Sequence, residues 1–90
     1  MSEPSDPEKL LEFPCHYQFK AMGLAGNAFV EAVFSAVARH ANVSRDAVRS
    51  RASGKGTYQA VSVLVTLHSY PQLTAIYADL RQIDGLKFLL

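Results

Sequence analysis

The chain has 90 residues, 49% of them hydrophobic and 19% charged, with a formal net charge of +1. That length accommodates one core, since domains usually need about 100–150 residues each. Nine Lys and Arg against eight Asp and Glu exclude a strongly basic or acidic tail as the main activity. The one cysteine excludes a disulfide scaffold and a cysteine-based zinc site, and it fits a reducing, cytoplasmic setting. No uninterrupted apolar run approaches the roughly 18 residues of a membrane span, so no membrane partner is expected. Residues 1–9 carry Pro4 and Pro7 among three acids and one base. Such a stretch buries too little to offset its ordering entropy, which predicts a disordered tail before a single domain over residues 10–90.

From Cys15 to Met22 the sequence alternates. Cys15, Tyr17, Phe19 and Ala21 fall on one face, with His16, Gln18, Lys20 and Met22 on the other, which predicts a half-buried strand. Gly23 and Gly26 punctuate its end, and Asn27 is the expected N-cap, its side chain accepting an orphaned backbone N–H. Over Ala28–Ala41 the spacing turns helical, with Val30, Val33, Phe34, Val37 and Ala41 on one stripe. After the polar turn Asn42–Asp46, Ala47–Ala52 predicts a weak strand with Arg49 and Arg51 opposite Val48 and Ser50. Ser53-Gly54-Lys55-Gly56 reads as a hairpin loop. Thr57–Leu67 is the strongest strand, with Val61, Val63, Val65 and Leu67 facing in and Tyr58, Ala60, Ser62, Leu64 and Thr66 facing out. Ser69 and Gln72 form a capping box with Pro71 in the first helical turn. Leu73, Ile76, Tyr77, Leu80 and Ile83 then mark a second apolar stripe. Asp84-Gly85 ends that helix, and Leu86–Leu90 is a last strand with Lys87 as its only charge.

The order β-α-β-β-α-β predicts an α+β fold, a ferredoxin-like split βαβ sandwich. Its four-stranded antiparallel sheet is ordered 4-1-3-2, with both helices on one face and the other face open. Val33, Val37, Val63, Ile76 and Leu80 are the expected centre of the core.

Three collinear motifs carry a resemblance. Leu11-Glu12-Phe13-Pro14 followed by Tyr17-x-Phe19-Lys20-x-Met22-Gly23 resembles the opening of the YbeD-like family of small bacterial proteins of unknown function. Ser53-x-Lys55-Gly56-x-Tyr58-x-x-Val61-Ser62 is similar to that family's central hairpin. Ile76-Tyr77-x-x-Leu80-x-x-Ile83, ending in Leu89-Leu90, is similar to its last helix and strand. The resemblance covers about residues 10–90. It implies a ferredoxin-like fold similar to the ACT-type regulatory domains that bind amino acids beside metabolic enzymes, and it implies no particular activity. Arg49 and Arg51 depart from the family's usual pattern.

The chemistry is sparse. His16, His40, His68 and Cys15 belong to no nucleophile, triad or metal-ligand motif, so no catalytic residue, metal or cofactor is expected. Cys15 shares the parity of Tyr17 and Phe19 and packs as a small hydrophobe. The glycines of Ser53–Thr57 are wrongly spaced for a phosphate loop, and a hairpin turn with positive φ accounts for them. Three groups of candidate binding residues remain. Gly23, Gly26 and Asn27 form a glycine turn at a helix N-terminus, where a ligand carboxylate would be favoured; the plain alternative is an ordinary turn. Arg49, Arg51 and Lys55 form a basic edge for anion contacts; the plain alternative is that they discourage edge pairing. Tyr58 and Leu64 on the outer face, and Leu89 on the last strand, are candidate interface residues for a weak homodimer.

The expected function is that of a non-enzymatic, cytoplasmic regulatory or adaptor module, with an ACT-like fold, that binds a protein or a small ligand. The alternative is a nucleic-acid-binding module using the basic strand-2 edge, because RNA-recognition modules share this element order. Against it, Tyr17 and Phe19 have core-facing parity, and Tyr58 alone stands outward on the third strand.

Overall fold

The computed structural model describes residues 11–90, so the expectation of a disordered tail over residues 1–9 lies outside the described residues. Four strands and two helices follow one another as β1 Cys15–Leu24, α1 Asn27–Ala38, β2 Val48–Ser53, β3 Tyr58–Leu67, α2 Tyr70–Leu80 and β4 Leu86–Leu89. A short 3-10 turn at Arg45–Ala47, capped by the Ser44 side chain accepting from the Asp46 N–H, leads into β2. The strands are antiparallel and ordered β2-β3-β1-β4, the ferredoxin-like arrangement expected.

The period-two pattern of β1 and β3 sorts their side chains with little ambiguity. Phe19 and Ala21 on β1, and Val61, Val63, Val65 and Leu67 on β3, face the helices and are buried. Phe29, Val33, Ala36 and Val37 of α1 and Leu73, Ile76 and Leu80 of α2 close over them. The five residues expected at the centre of the core are each at most 1% exposed. Cys15 is half-buried and packs against this core.

The joints differ from the sequence reading. β1 runs two residues past Met22, to Leu24, and Gly26 is the N-cap of α1 with φ 116°, while Asn27 is already helical and no side chain caps the helix. The reason lies across the sheet. Gln59 on β3 turns inward and donates from Nε2 to the Leu24 carbonyl at 2.9 Å and to the Gly26 carbonyl at 2.7 Å. This ties the connection so tightly that only Ala25 and Gly26 span it. Gly23 is a strand residue, not a turn residue: a Cβ there would lie 2.3 Å from the Phe29 ring. At α2, Ser69 accepts from the Gln72 N–H as expected, but the Gln72 side chain accepts from the His68 N–H rather than from Ser69. Its Nε2 donates to the His40 carbonyl and so ties α2 to the turn that follows α1.

Candidate functional site

The helices leave one face of the sheet open, and the register fixes what lies side by side there. Lys20 pairs with Ser62, and Ser62 with Arg49; Met22 pairs with Ala60, and Ala60 with Arg51. Each row therefore places a short side chain on β3 between two long ones on its flanks. The result is a depression of about 410 Å³ lined by Lys20, Arg49, Ser50, Arg51, Ala60 and Ser62. Three cations rim it and no carboxylate lines it. Arginine offers a planar fork of donors to carboxylate or phosphate, and lysine adds a point charge, so the chemistry of this depression is complementary to an anion.

Most of the other basic side chains have partners. Arg45 donates to both Glu31 oxygens, at 2.5 and 2.8 Å, and lies 4.3 Å from the Phe34 ring centroid. The hydrogen bonds from Arg45 hold the Glu31 carboxyl below its ordinary range. Asp79 accepts from His40 Nε2 at 2.7 Å and from Arg39 at 3.2 Å, and these bonds lower its pKa in that order. Arg81 and Lys87 lie over the Tyr77 and Tyr58 rings. Among the described residues, Lys20, Arg49, Arg51 and Lys55 have neither an ion pair nor a ring.

The candidate residues are distributed as follows. Arg49 and Arg51 stand together on the open face, exposed, as their parity requires. Lys55 is in the hairpin turn, outside the depression, and Lys20 from β1 takes its place there. The glycine turn is occupied by its own structure: the Phe29 ring lies against Gly23, and Gln59 takes the carbonyls of Leu24 and Gly26. The Ala25 N–H donates to the Thr57 carbonyl. Asn27 is exposed and does not cap. Tyr58 and Leu64 are on the open face, Leu64 being 53% exposed, but Leu89 packs half-buried against the core. Phe88 is the outward residue of β4, opposite Met22 and 47% exposed. Parity alone misses Phe88, because a register shift between Met22 and Gly23 sets the phase of β4.

Further concavities lie among the described residues. One, of about 550 Å³, lies between the helices beside Ala32, Arg39 and Asp79; another, of about 540 Å³, lies beside His40, Asn42, His68 and Gln72. Among the described residues, no group of three or more His, Cys, Asp or Glu is placed to hold a metal ion. No helix of the described chain is long and apolar enough to cross a membrane.

A four-stranded sheet with two helices on one face and the other face open defines the ferredoxin-like, ACT-like fold. Solved structures agree on the fold. The ACT domain from the GTP pyrophosphokinase of Chlorobium tepidum matches with TM-score 0.64 and 12% identity, over 84% of this chain and 83% of that one. Protein HP0495 from H. pylori matches with TM-score 0.70 and 13% identity, over 100% and 97%. The chain belongs to the family described as "Protein of unknown function (DUF493)", whose model matches residues 8–90. It is similar to the UPF0250 proteins of Shewanella loihica, 40% identical over 91% of this chain and 92% of that one, and of Shewanella woodyi, 37% identical over 92% and 93%. The UPF0250 protein of Sodalis glossinidius is 35% identical over 91% and 93%. These relatives bear out the YbeD-like resemblance read from the three motifs.

Proposed function

We propose that the protein is a non-catalytic regulatory or adaptor module of the cytoplasm that binds a protein or small ligand through an anionic group on the open face of its sheet. One observation carries this reading: Lys20, Arg49 and Arg51, unpaired among the described residues, surround a depression floored by Ala60 and Ser62. Cations held together on one face, Arg49 and Arg51 on β2 and Lys20 across β3 on β1, repel one another, and an anion bound between them relieves that repulsion. The ACT-like fold supports a regulatory role by analogy only, since one fold hosts many functions. The test is an amide chemical-shift titration of the protein with inorganic pyrophosphate. Shifts confined to Lys20, Arg49, Arg51, Ala60 and Ser62, and lost in the triple change of Lys20, Arg49 and Arg51 to Gln, are expected. Shifts centred on the helix-side concavities would overturn the reading.

A second reading, nucleic-acid binding, draws on Tyr58 and Phe88 standing on the same face as these cations. Base stacking on such rings and phosphate contact with such cations would give affinity that falls steeply with salt. Fluorescence anisotropy of a labelled single-stranded RNA across a salt series tests it, and absence of binding at low salt removes it.

A further inference from the structure

β2 is an edge of the sheet, hydrogen-bonded to β3 and to no other strand among the described residues. All six of its residues pair with β3 without a register shift, from Val48 opposite Val63 to Ser53 opposite Tyr58. In a regular antiparallel ladder, alternate residues turn both their N–H and C=O groups away from the partner, so β2 presents a row of unpaired groups. Its central residues Arg49, Ser50, Arg51 and Ala52 are exposed, on both faces of the strand. Neither proline nor bulge interrupts it. The usual devices that blunt an edge are thus reduced to one, charge of a single sign.

That charge chooses the occupant. A second copy pairing antiparallel along β2 would bring two pairs of arginines onto one face, and like charges across a pair of strands destabilise it. An acidic strand meets the opposite situation. Successive residues on one face of a strand are two apart, as Arg49 and Arg51 are, and Lys20 lies on the same face across Ser62.

We infer that β2 accepts an added strand from a partner protein, an extended segment with an acidic residue at every second position. Its carboxylates lie beside Arg49 and Arg51 on the open face, and its backbone continues the ladder from β2. The other side chains of the added segment rest next to Val48, Ser50 and Ala52. This names the partner for the open face and rests on the reading that its cations take anionic groups.

The probe is a capped peptide, Thr-Glu-Val-Glu-Val-Glu-Thr, titrated into the isotope-labelled full chain. Amide shifts along Val48–Ser53, with slowed hydrogen exchange at alternate β2 amides, are the expected result. Changing both Arg49 and Arg51 to Gln should weaken binding by about tenfold or more, the scale of a lost charge-assisted contact. Two further peptides keep the charge but carry N-methyl groups on alternate residues, one in each phase. Strand addition requires one phase to bind like the parent and the other to lose binding. Equal binding by both overturns strand addition and leaves the anion reading of the face intact, provided pyrophosphate still shifts the depression. Failure of the peptides and pyrophosphate together removes both. Shifts along β4 instead of β2, or RNA binding tighter than the peptide at the same salt, overturn the inference.

Discussion

The two faces of the sheet are made from alternate residues of the same strands, yet they obey different rules. On β3 the inward residues Val61, Val63 and Leu67 are fully buried, while Ala60, Ser62 and Leu64 between them face outward. The inner face has one solution, because packed volumes allow few others. The outer face accepts a wider range of side chains, so packing does not fix the cations gathered there. Stability and binding are therefore expected to separate by face, and substitutions of decreasing effect can break or sharpen that division.

The largest effect belongs to the inner face. Leu80 is fully buried between α2 and the sheet, and Leu80→Ala should cost about 2–5 kcal/mol through lost transfer energy and a residual cavity. Denaturant unfolding measures it. A loss below about 0.5 kcal/mol, the range of surface positions, would place Leu80 outside the core.

Next is Gly23, whose role is space. With Phe29 only 4% exposed and its ring against the Gly23 backbone, Gly23→Ala should cost about 1–3 kcal/mol by overpacking. The double change Gly23→Ala with Phe29→Leu should recover part of that loss. If the double change is merely additive, contact between the two is not the cause.

Gln59 follows. It is a polar residue on the inward phase of β3, 7% exposed, with both its hydrogen bonds spent on the β1–α1 connection. Gln59→Leu removes those two bonds at a cost of about 1–3 kcal/mol and should loosen residues 24–27 first. Hydrogen exchange of the Ala25 amide, which donates to the Thr57 carbonyl, would register this before any global unfolding.

These cases show what the sequence made legible. Strict alternation in Cys15–Met22 and Thr57–Leu67 assigned most side chains of two strands to a face, leaving out Gly23, Leu24 and Gln59. The first helical stripe found Val33 and Val37 but took Phe34 where the core holds Phe29 and Ala36. The Gly23–Asn27 segment misled, because a glycine required by a neighbouring ring looks the same in sequence as a glycine required by a turn. Gln59 did leave a signal, since a polar side chain on an otherwise apolar phase demands a buried partner. The depression was only half legible. Arg49 and Arg51 are near in sequence, but Lys20 joins them through strand register, and Lys55 departs with the hairpin turn.

The helix layer adds a pH-dependent effect. Asp79 is held below its ordinary range by hydrogen bonds from His40 and then Arg39. A carboxyl with a lowered folded-state pKa adds stability above its unfolded value and loses it as pH falls through the folded value. Wild type and Asp79→Asn should therefore differ most near neutrality and converge in acid. A gap independent of pH would assign the difference to packing instead.

The smallest effect on stability concerns self-association. Met22, Leu24, Tyr58, Leu64 and Phe88 form the apolar part of the outer face, interleaved with Lys20, Arg49 and Arg51. A weak homodimer through that face is expected, opposed by its own cations. Salt screens like charges and strengthens apolar contact, so the dimer fraction in sedimentation should rise with salt. An acidic partner on β2 should show the reverse dependence. Leu64→Lys should leave stability within about 0.5 kcal/mol of wild type and keep the chain monomeric. Leu89→Lys is the contrasting variant: Leu89 packs against the core, so a lysine there should lower stability whether or not the chain associates. A wild-type chain that stays monomeric near about 1 mM at high salt, the scale of a contact worth only about 4 kcal/mol, would leave the outer face to other partners.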